Sequence, residues 1–169
     1  MEGKLAIAIR RYREADAQDV SAIVRRGEKD ADSRAFGRRR MEEVCYYSNR
    51  LLISDDEQQT HMYVLTLHDP DDMGREKIEA CGAIAMKEDL GGTGEITGIA
   101  VTPAFQRLGL GRMMMDVLEQ DARERHLKKI VLRAAAAAFG FYEILGFHSS
   151  VGERYEPVCG YCRMEKEIS

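Results

Sequence analysis

The most informative segment of the chain is Val101-Thr102-Pro103-Ala104-Phe105-Gln106-Arg107-Leu108-Gly109-Leu110-Gly111-Arg112. It joins a stretch containing Ile and Val to a long amphipathic stretch, which predicts a strand, a short connection and a helix. The first turn of a helix has unpaired N–H groups at the positive end of the helix dipole, and glycines let a ligand approach the backbone. The segment therefore predicts a phosphate-binding loop, to which Arg107 and Arg112 add positive charge.

Two common phosphate-binding motifs fit this segment poorly. A Walker P-loop ends in Gly-Lys-Ser/Thr, whereas Gly111 is followed by Arg112 and Met113. A dinucleotide fingerprint needs a third glycine three residues after the second, and this chain has Met114 there. That fingerprint also normally opens the first βαβ unit of its domain, whereas several predicted strands precede the loop in this sequence.

A third pattern, Q/R-x-x-G-x-G/A, is matched by Gln106, Gly109 and Gly111. This match resembles motif A of the GCN5-related N-acetyltransferase (GNAT) superfamily. In that family a strand rich in Val and Ile and a link containing proline precede the loop, and this sequence has both in Ile99-Ala100-Val101-Thr102-Pro103. The glycine spacing and its setting therefore agree with the family.

A second segment carries the same resemblance. Residues 141–147 read Phe-Tyr-Glu-Ile-Leu-Gly-Phe, which looks like the family's F-Y-E-x-L-G-F segment at the usual distance after the glycine loop. Residues 163–168 are similar to the family's last strand. The resemblance covers essentially the whole chain and is specific from Glu95 to Phe147. One position departs from the family, because Ala135 stands where an Asn that contacts the cofactor is often found.

The resemblance implies a single α/β domain over residues 1–169, with a mixed central sheet of about seven strands and about four helices, splayed between strands 4 and 5. Hydropathy patterns favour the same order of elements. They predict strands at 5–13, 61–67, 78–86, 95–101 and 129–132 and two in the tail, helices at 16–26, 33–50, 109–125 and 136–145, and a glycine-rich loop at 91–94. The apolar face of the third helix is predicted to contain Leu110, Met113, Met114, Val117, Leu118 and Ala122.

The resemblance further implies that acetyl-CoA binds in the gap between strands 4 and 5. Backbone groups of Ile99, Ala100 and Val101 are expected to hold the pantetheine arm. The pyrophosphate is expected to be held, mostly by backbone N–H groups, by Gln106, Arg107, Leu108, Gly109, Leu110, Gly111 and Arg112. The resemblance implies no metal.

The implied reaction is direct attack of an amine on the thioester. An alkyl ammonium has a pKa of about 10.4, so a base must remove its proton, and Glu95 at the start of the fourth strand is the candidate. An alternative interpretation makes Glu95 an exposed carboxylate at the edge of a strand. A backbone N–H near Val101 is the candidate for stabilising the oxyanion if the strand is irregular there. Tyr142 is the candidate donor to the departing thiolate, and it also belongs to the cofactor site.

Composition excludes some other functions. The chain has 169 residues and a net charge of −4, which does not suit a protein that binds nucleic acid through a basic surface. No apolar run approaches the length of a membrane span, and the first residues lack a secretory signal. The sequence therefore predicts a cytoplasmic protein with neither nucleic acid nor membrane as a partner.

Two alternatives to the enzyme stay open at this stage. Cys159 and Cys162 form a C-x-x-C pair, but a structural zinc site usually needs a second pair, so reduced thiols are favoured over a zinc or redox module. The second alternative is an acyl-CoA-binding sensor, because a fold does not fix a function. The acceptor is a small-molecule or peptide amine whose identity the sequence does not define, as it does not define the acyl-chain preference. A homodimer is common in families of this kind.

Overall fold

A mixed sheet with helices packed on both faces forms the framework of the computed structural model, which describes residues 6–32, 60–68, 76–87, 91–106, 108–150 and 161–168. The strands are β1 Ala6–Arg11, β2 Thr60–His68, β3 Lys77–Lys87, β4 Thr93–Val101, β5 Lys129–Ala135, β6 His148–Ser149 and β7 Tyr161–Glu167. The helices are α1 Ala17–Asp32, α2 Leu110–Glu124 and α3 Phe139–Ile144, with 3-10 turns at Glu14–Asp16, Pro103–Phe105 and Ala136–Ala138. The predicted α/β class is confirmed.

The sheet has the strand order β1-β2-β3-β4-β5-β7-β6. Neighbouring strands run antiparallel except β4 and β5, which are parallel and are connected through α2. A parallel pair needs such a crossover because the chain must return to the edge from which it started. The loop that begins α2 therefore lies at the carboxyl end of β4.

The parallel pairing between β4 and β5 is short. It starts at Thr93 with Lys129 and ends at Ile96 with Leu132. Beyond that point β4 stays paired with β3 as far as Val101, and β5 stays paired with β7 as far as Ala135. The two strands therefore separate while each keeps its outer partner, which confirms the predicted splay.

The two faces of the sheet bury different side chains. On the face covered by α2 and α3, called here the α2 face, the core includes Leu65, Ile84, Ile96, Ile130, Leu132, Met114, Leu118 and Tyr142. On the opposite face, called here the α1 face, Val20, Ile23 and Val24 pack against Met62, Val64, Cys81 and Ala83. On this face α1 packs on β3 and β4, and Val131 of β5, which lies between two residues of the α2-face core, is also buried.

The apolar face of α2 differs in part from the prediction. Leu110, Met114, Leu118 and Ala122 are buried as expected, but Met115 is fully buried and Met113 is 40% exposed. The buried stripe follows the spacing of four residues from Leu110, and Met113 lies on the far side of the helix from its centre. The inclusion of Met113 was wrong, and Met115 was missed.

Two local predictions from residue type were also wrong. Gly94, predicted in a loop, lies within β4, where a Cβ would stand 2.8 Å from Leu127 Cδ1. Its lack of a side chain allows close packing rather than a turn. The strand predicted at 129–132 continues to Ala135, because Ala134 and Ala135 pair with Cys162 and Tyr161 of β7. Strand pairing outweighs the helix propensity of alanine here.

Some predicted features lie outside the described residues. These are the helix at 33–50, Arg107, and Cys159 of the C-x-x-C pair. Within the described ranges, no helix combines the length and the apolar character needed to cross a membrane.

Candidate active site

The separation of β4 from β5 exposes one side of the β4 backbone to the gap. Thr102 N–H donates to the Glu79 carbonyl at 2.8 Å, which places the backbone groups of Thr102 on the β3 side. In an antiparallel pair the direction of these groups alternates, so Ala100 also faces β3. Ile99 and Val101 therefore direct their N–H and C=O groups into the gap. The backbone groups of Ala100, which were also predicted to contact the cosubstrate, face away from it.

The glycine loop continues from this edge. Gln106 Nε2 donates to the Val101 carbonyl at 3.2 Å, which ties the loop back to β4. Gly109 precedes α2 with φ of +84°, a conformation that glycine adopts without strain, and a Cβ there would meet no atom within 4 Å. The space beside Gly109 is therefore open to a ligand.

The first turn of α2 supplies the expected hydrogen-bond donors. The first bond of the helix runs from Met113 N–H to the Gly109 carbonyl at 3.0 Å. The N–H groups of Leu110, Gly111 and Arg112 precede it and have no acceptor one helical turn earlier within α2. The Leu110 side chain is buried, which anchors this turn, whereas Arg112 is exposed. These features suit an anion at the start of α2.

Phe141 brings the second predicted motif to the same place. A Cβ on Gly111 would stand 3.4 Å from Phe141 Cζ and 3.8 Å from Val101 Cγ2. The absence of a side chain at Gly111 therefore lets the end of β4, the start of α2 and the aromatic pair of α3 converge. The structure brings the two sequence motifs together across residues far apart in the chain.

Tyr142 is buried between two aromatic rings beside this junction. It is 6% exposed and makes edge-to-face contacts with Phe141 and Phe147, with ring centroids 5.1 and 5.9 Å away. Its carbonyl accepts the Phe147 N–H at 3.0 Å, while Gly146 ends the helix with φ of +92°. Burial raises the pKa of the Tyr142 phenol to about 12, so it is protonated at neutral pH and can donate a hydrogen bond.

Glu95 lies on the other face of the sheet. Its neighbours Gly94 and Ile96 point to the α2 face, and side chains alternate along a strand, so Glu95 points to the α1 face. It pairs with Val131 of β5, one position before the parallel pairing ends. Glu95 is thus next to the opening of the gap, on the side opposite to Tyr142.

A bulge at Thr97 was not foreseen. Ile96 pairs with Ile84 and Gly98 with Ala83, which leaves Thr97 as the extra residue of β4. Its hydroxyl oxygen is buried and has no hydrogen-bond partner among the described residues. Stabilisation of the oxyanion by a backbone N–H near Val101 required an irregular strand there, but Val101 pairs regularly with Ala80 and the irregularity of β4 lies at Thr97. Gly98 within a strand was the available signal for a bulge.

Among the described residues we find neither a candidate metal site nor a reactive thiol. They contain no group of three His, Cys, Asp or Glu side chains suited to hold a metal ion. Cys81 and Cys162 are buried free thiols, and burial raises the pKa of Cys81 to about 12. A thiol of that pKa is a poor nucleophile at neutral pH.

Comparison with known proteins fits this arrangement. A model of the acetyltransferase (GNAT) family matches residues 24–147. The chain belongs to the GNAT acetyltransferase family. Among its relatives, the Bacillus subtilis (strain 168) protein YyaT is 29% identical over 113 residues, which are 67% of this chain and 69% of YyaT. Serotonin N-acetyltransferase 2, chloroplastic, of Oryza sativa subsp. japonica is 43% identical over 49 residues, 29% of this chain and 24% of that protein.

Two solved structures illustrate how the GNAT fold extends over the chain. The PaiA N-acetyltransferase from Thermoplasma acidophilum, in complex with coenzyme A, superposes with a TM-score of 0.76 at 14% identity, covering 96% of this chain and 99% of that one. An acetyltransferase of the GNAT family from Staphylococcus aureus gives a TM-score of 0.68 at 11% identity, covering 97% and 100%. At these identities the likeness establishes the fold.

Proposed function

We propose that the protein transfers an acetyl group from acetyl-CoA to the nitrogen of an amine, with residues 1–169 acting as one catalytic domain. The observation that carries this proposal is the separation of β4 from β5 after Ile96, beside the open glycine turn that begins α2. An extended cosubstrate arm with a pyrophosphate at one end fits such a gap and such a turn. The Thermoplasma acidophilum protein of the same fold, in complex with coenzyme A, supports this assignment.

Backbone groups account for most of the cosubstrate binding that we propose. Ile99 and Val101 offer N–H and C=O groups to the amides of pantetheine, as a neighbouring strand would. The pyrophosphate binds to the N–H groups of Leu110, Gly111 and Arg112, with Gln106, Leu108 and Gly109 forming the wall of the turn. Ala100 stays in the proposed site because it lies between Ile99 and Val101 and keeps their backbone groups directed into the gap. Arg107 remains part of the proposed site on sequence grounds.

In the mechanism that we propose, the base and the proton donor lie on opposite faces of the sheet. Glu95, directly or through a water, removes a proton from the acceptor ammonium, and the neutral amine then attacks the thioester carbon. A C–N bond forms and the C–S bond breaks as the tetrahedral intermediate collapses. Tyr142, which the raised pKa keeps protonated, donates its proton to the leaving sulfur. The proton that the amide nitrogen then loses restores the Tyr142 phenol through solvent, and Glu95 releases its proton to solvent.

A thiol-release assay with acetyl-CoA and a panel of amines tests the two proton-transfer roles. Tyr142→Phe keeps the ring that packs on Phe141 and Phe147. We expect turnover to fall about 100-fold while the acetyl-CoA Kd and the melting temperature stay the same. Unchanged turnover would remove Tyr142 from the mechanism, and acetyl-CoA binding without thiol release from any amine would favour a sensor.

Glu95→Gln separates a base from a structural carboxylate in the same assay. If Glu95 removes the proton, the variant should be slow at neutral pH and should recover as the pH approaches about 10, where the amine loses its proton unaided. A structural role predicts instead a loss that does not depend on pH. An equal defect at all pH values would therefore reject Glu95 as the base.

A further inference from the structure

The two edges of the sheet differ in length. At one edge β6 has only two residues, His148–Ser149, and such a short strand offers little to a pairing partner. At the other edge β1, Ala6–Arg11, pairs with β2 on one side, and no strand among the described residues pairs with its other side. Ala6, Ile7 and Ala8 are exposed, so this outer side is open along the first half of the strand.

The backbone groups of β1 alternate between these two sides. Tyr12 N–H donates to the Met62 carbonyl at 2.9 Å, which shows that the backbone groups of Tyr12 face β2. In an antiparallel pair every second residue faces the same way, so Ala8 also faces β2. The N–H and C=O groups of Ile7 and Ile9 therefore point outwards, away from β2. They are the groups that a further strand would bind.

The first half of β1 lacks the features that protect other edge strands. Natural sheets block long edges with charged side chains, proline or bulges, because unpaired backbone groups attract another strand. Residues 6–9 are Ala-Ile-Ala-Ile, which include neither a charge nor a proline. Their register with β2 is continuous, without a bulge. This stretch therefore has the properties of a strand that pairs with another chain.

An apolar side chain is also left uncovered at this edge. Ile9 packs against the core of the α2 face, and Ile7, two residues earlier in the strand, points to the same face. Ile7 is 46% exposed, although Leu67, its partner in β2, is buried. Helices α1 and α2 pack mainly on β2, β3 and β4, which leaves β1 at the margin of both layers. A strand added beside β1 would cover Ile7.

We propose that two copies of the chain associate through β1, which pairs antiparallel with β1 of the second copy about a two-fold axis at Ala8. The strand is complementary to itself in this register, because Ala8 lies opposite Ala8 and each Ile7 lies opposite the Ile9 of the other copy. The outward backbone groups of these isoleucines exchange about four hydrogen bonds. The antiparallel arrangement also keeps Arg10 and Arg11 of the two copies at opposite ends of the interface. The two sheets become one continuous sheet.

Sedimentation velocity of the full chain tests the association. The measurement covers concentrations from about 1 µM to about 1 mM, which spans the affinities of reversible dimers. A pair of short strands forms a small interface, so we expect a monomer–dimer equilibrium with a Kd in the micromolar range. A monomer at every concentration would overturn the proposal.

Variants locate the interface on the sheet. Ile7→Lys places a charge on the edge strand and should raise the dimer Kd at least about tenfold. Ile144→Lys is the matched control, because Ile144 is an 81% exposed isoleucine on α3, which packs on β5, three strands away from β2. Ile7→Pro removes an outward N–H and keeps the hydrogen bonds to β2, so it should melt close to the wild type and also weaken the dimer. A dimer that both Ile7 variants leave unchanged would overturn the proposal.

A cysteine cross-link tests the register. Opposed residues in a non-hydrogen-bonded antiparallel pair have Cα atoms about 4.5 Å apart, within the range that a disulfide spans, so Ala8→Cys should give a covalent dimer on mild oxidation with diamide. Ala6→Cys is the matched control, since Ala6 is an exposed alanine on the same face whose two copies would lie about 13 Å apart along the strands. The wild type reports the background from the native thiols. Equal cross-linking of the two variants on a non-reducing gel would refute pairing about Ala8.

Discussion

Gly109 shows how one residue sets the conformation of the proposed pyrophosphate site. Its φ of +84° is accessible to glycine and costs another residue about 1 kcal/mol or more, while the space around a new Cβ is empty. A side chain there changes the site through backbone strain and through whatever charge it carries, without a steric clash against the protein. These two effects are separable by substitution.

We therefore predict different effects of Gly109→Glu and Gly109→Gln on acetyl-CoA affinity. Both variants bear the same backbone strain and nearly the same volume, but only Glu puts a negative charge next to the pyrophosphate. Calorimetric titration should give a Kd for Gly109→Glu that exceeds that of Gly109→Gln at least about tenfold, with the difference shrinking at high salt. Equal Kd values for the two would argue against a pyrophosphate at this turn.

The residues of the candidate site were predictable only where a local motif exists. The glycine spacing and the Phe-Tyr pair are contiguous patterns, so Gly109, Gly111 and Tyr142 could be named from the sequence. The backbone N–H and C=O groups of Ile99 and Val101 face the gap, whereas those of Ala100 face β3. This difference depends on the register between β4 and β3, which no local sequence pattern encodes. Thr97 was missed because its place in the site depends on the bulge in the pairing of β4 with β3.

Among the strands and helices, β4 contains a bulge whose extra residue, Thr97, lowers the stability of the fold and lies beside the proposed site. The buried Thr97 hydroxyl has no partner among the described residues, and such a group costs about 1–3 kcal/mol of folding free energy. Natural proteins tend to retain unsatisfied buried groups where they have a use. Thr97 lies at the opening between β4 and β5, and we propose that the acceptor amine of the reaction contacts its hydroxyl.

We predict that Thr97→Val stabilises the protein and weakens acceptor binding. Valine keeps the β-branched shape and removes the unsatisfied hydroxyl, so the free energy of unfolding in urea should rise by up to about 1 kcal/mol while KM for the acceptor increases. Thr66→Val is the control, because the Thr66 hydroxyl donates to the Ala8 carbonyl at 3.4 Å. It should lower stability slightly and leave KM unchanged. A destabilised Thr97→Val with normal KM would contradict this account.

Near its carboxyl end, helix α2 contacts β2 through a buried carboxylate. Asp121 is 4% exposed and lies 2.6 Å from His61 Nδ1, 2.5 Å from the Tyr63 hydroxyl and 2.6 Å from Arg125 Nε. Burial, and then the bond to Asp121, raise the pKa of Tyr63 to about 12. The cluster is about 18 Å along the helix from Gly109, so its role is structural with respect to the cosubstrate.

Asp121→Asn should therefore reduce stability without altering acetyl-CoA binding. Loss of a buried charge that is paired with Arg125 and His61 typically costs about 3 kcal/mol, and urea unfolding should show a decrease of that order. Asp116→Asn, at an exposed position of the same helix, should change stability by less than about 0.5 kcal/mol. A marked loss of acetyl-CoA affinity in folded Asp121→Asn would show that the cluster is coupled to the site.

Element types were easier to predict than element ends. Alternation and helical spacing identified β1 to β5, α1 and α2, because a buried face imposes a regular period. The ends shifted where tertiary contacts decide the outcome: Gly94 packs against Leu127 within a strand, and Ala134 pairs with Cys162. Intrinsic propensity reflects only the residue and its neighbours in sequence, whereas the secondary structure at these positions is decided by contacts with residues distant in sequence.

At the scale of the whole molecule, the sheet separates two chemical environments. The glycine turn and Tyr142 lie on the α2 face, whereas Glu95 lies on the α1 face. The gap between β4 and β5 connects the two. In the function that we propose, the acetyl donor and the acceptor amine therefore reach the gap from different faces of the sheet. This division follows from one structural feature, the early end of the parallel pairing after Ile96.

The central claim is that this gap and its glycine turn bind acetyl-CoA, and a thermal-shift titration with acetyl-CoA, CoA and NAD tests it most directly. A ligand that binds only the folded state adds about 2.7 kcal/mol of stability at 100 times its Kd. For a chain of this size that amounts to a rise of roughly 5–10 °C in Tm. We predict a saturable rise with acetyl-CoA and with CoA and none with NAD. No shift with acetyl-CoA at millimolar concentration would contradict the account.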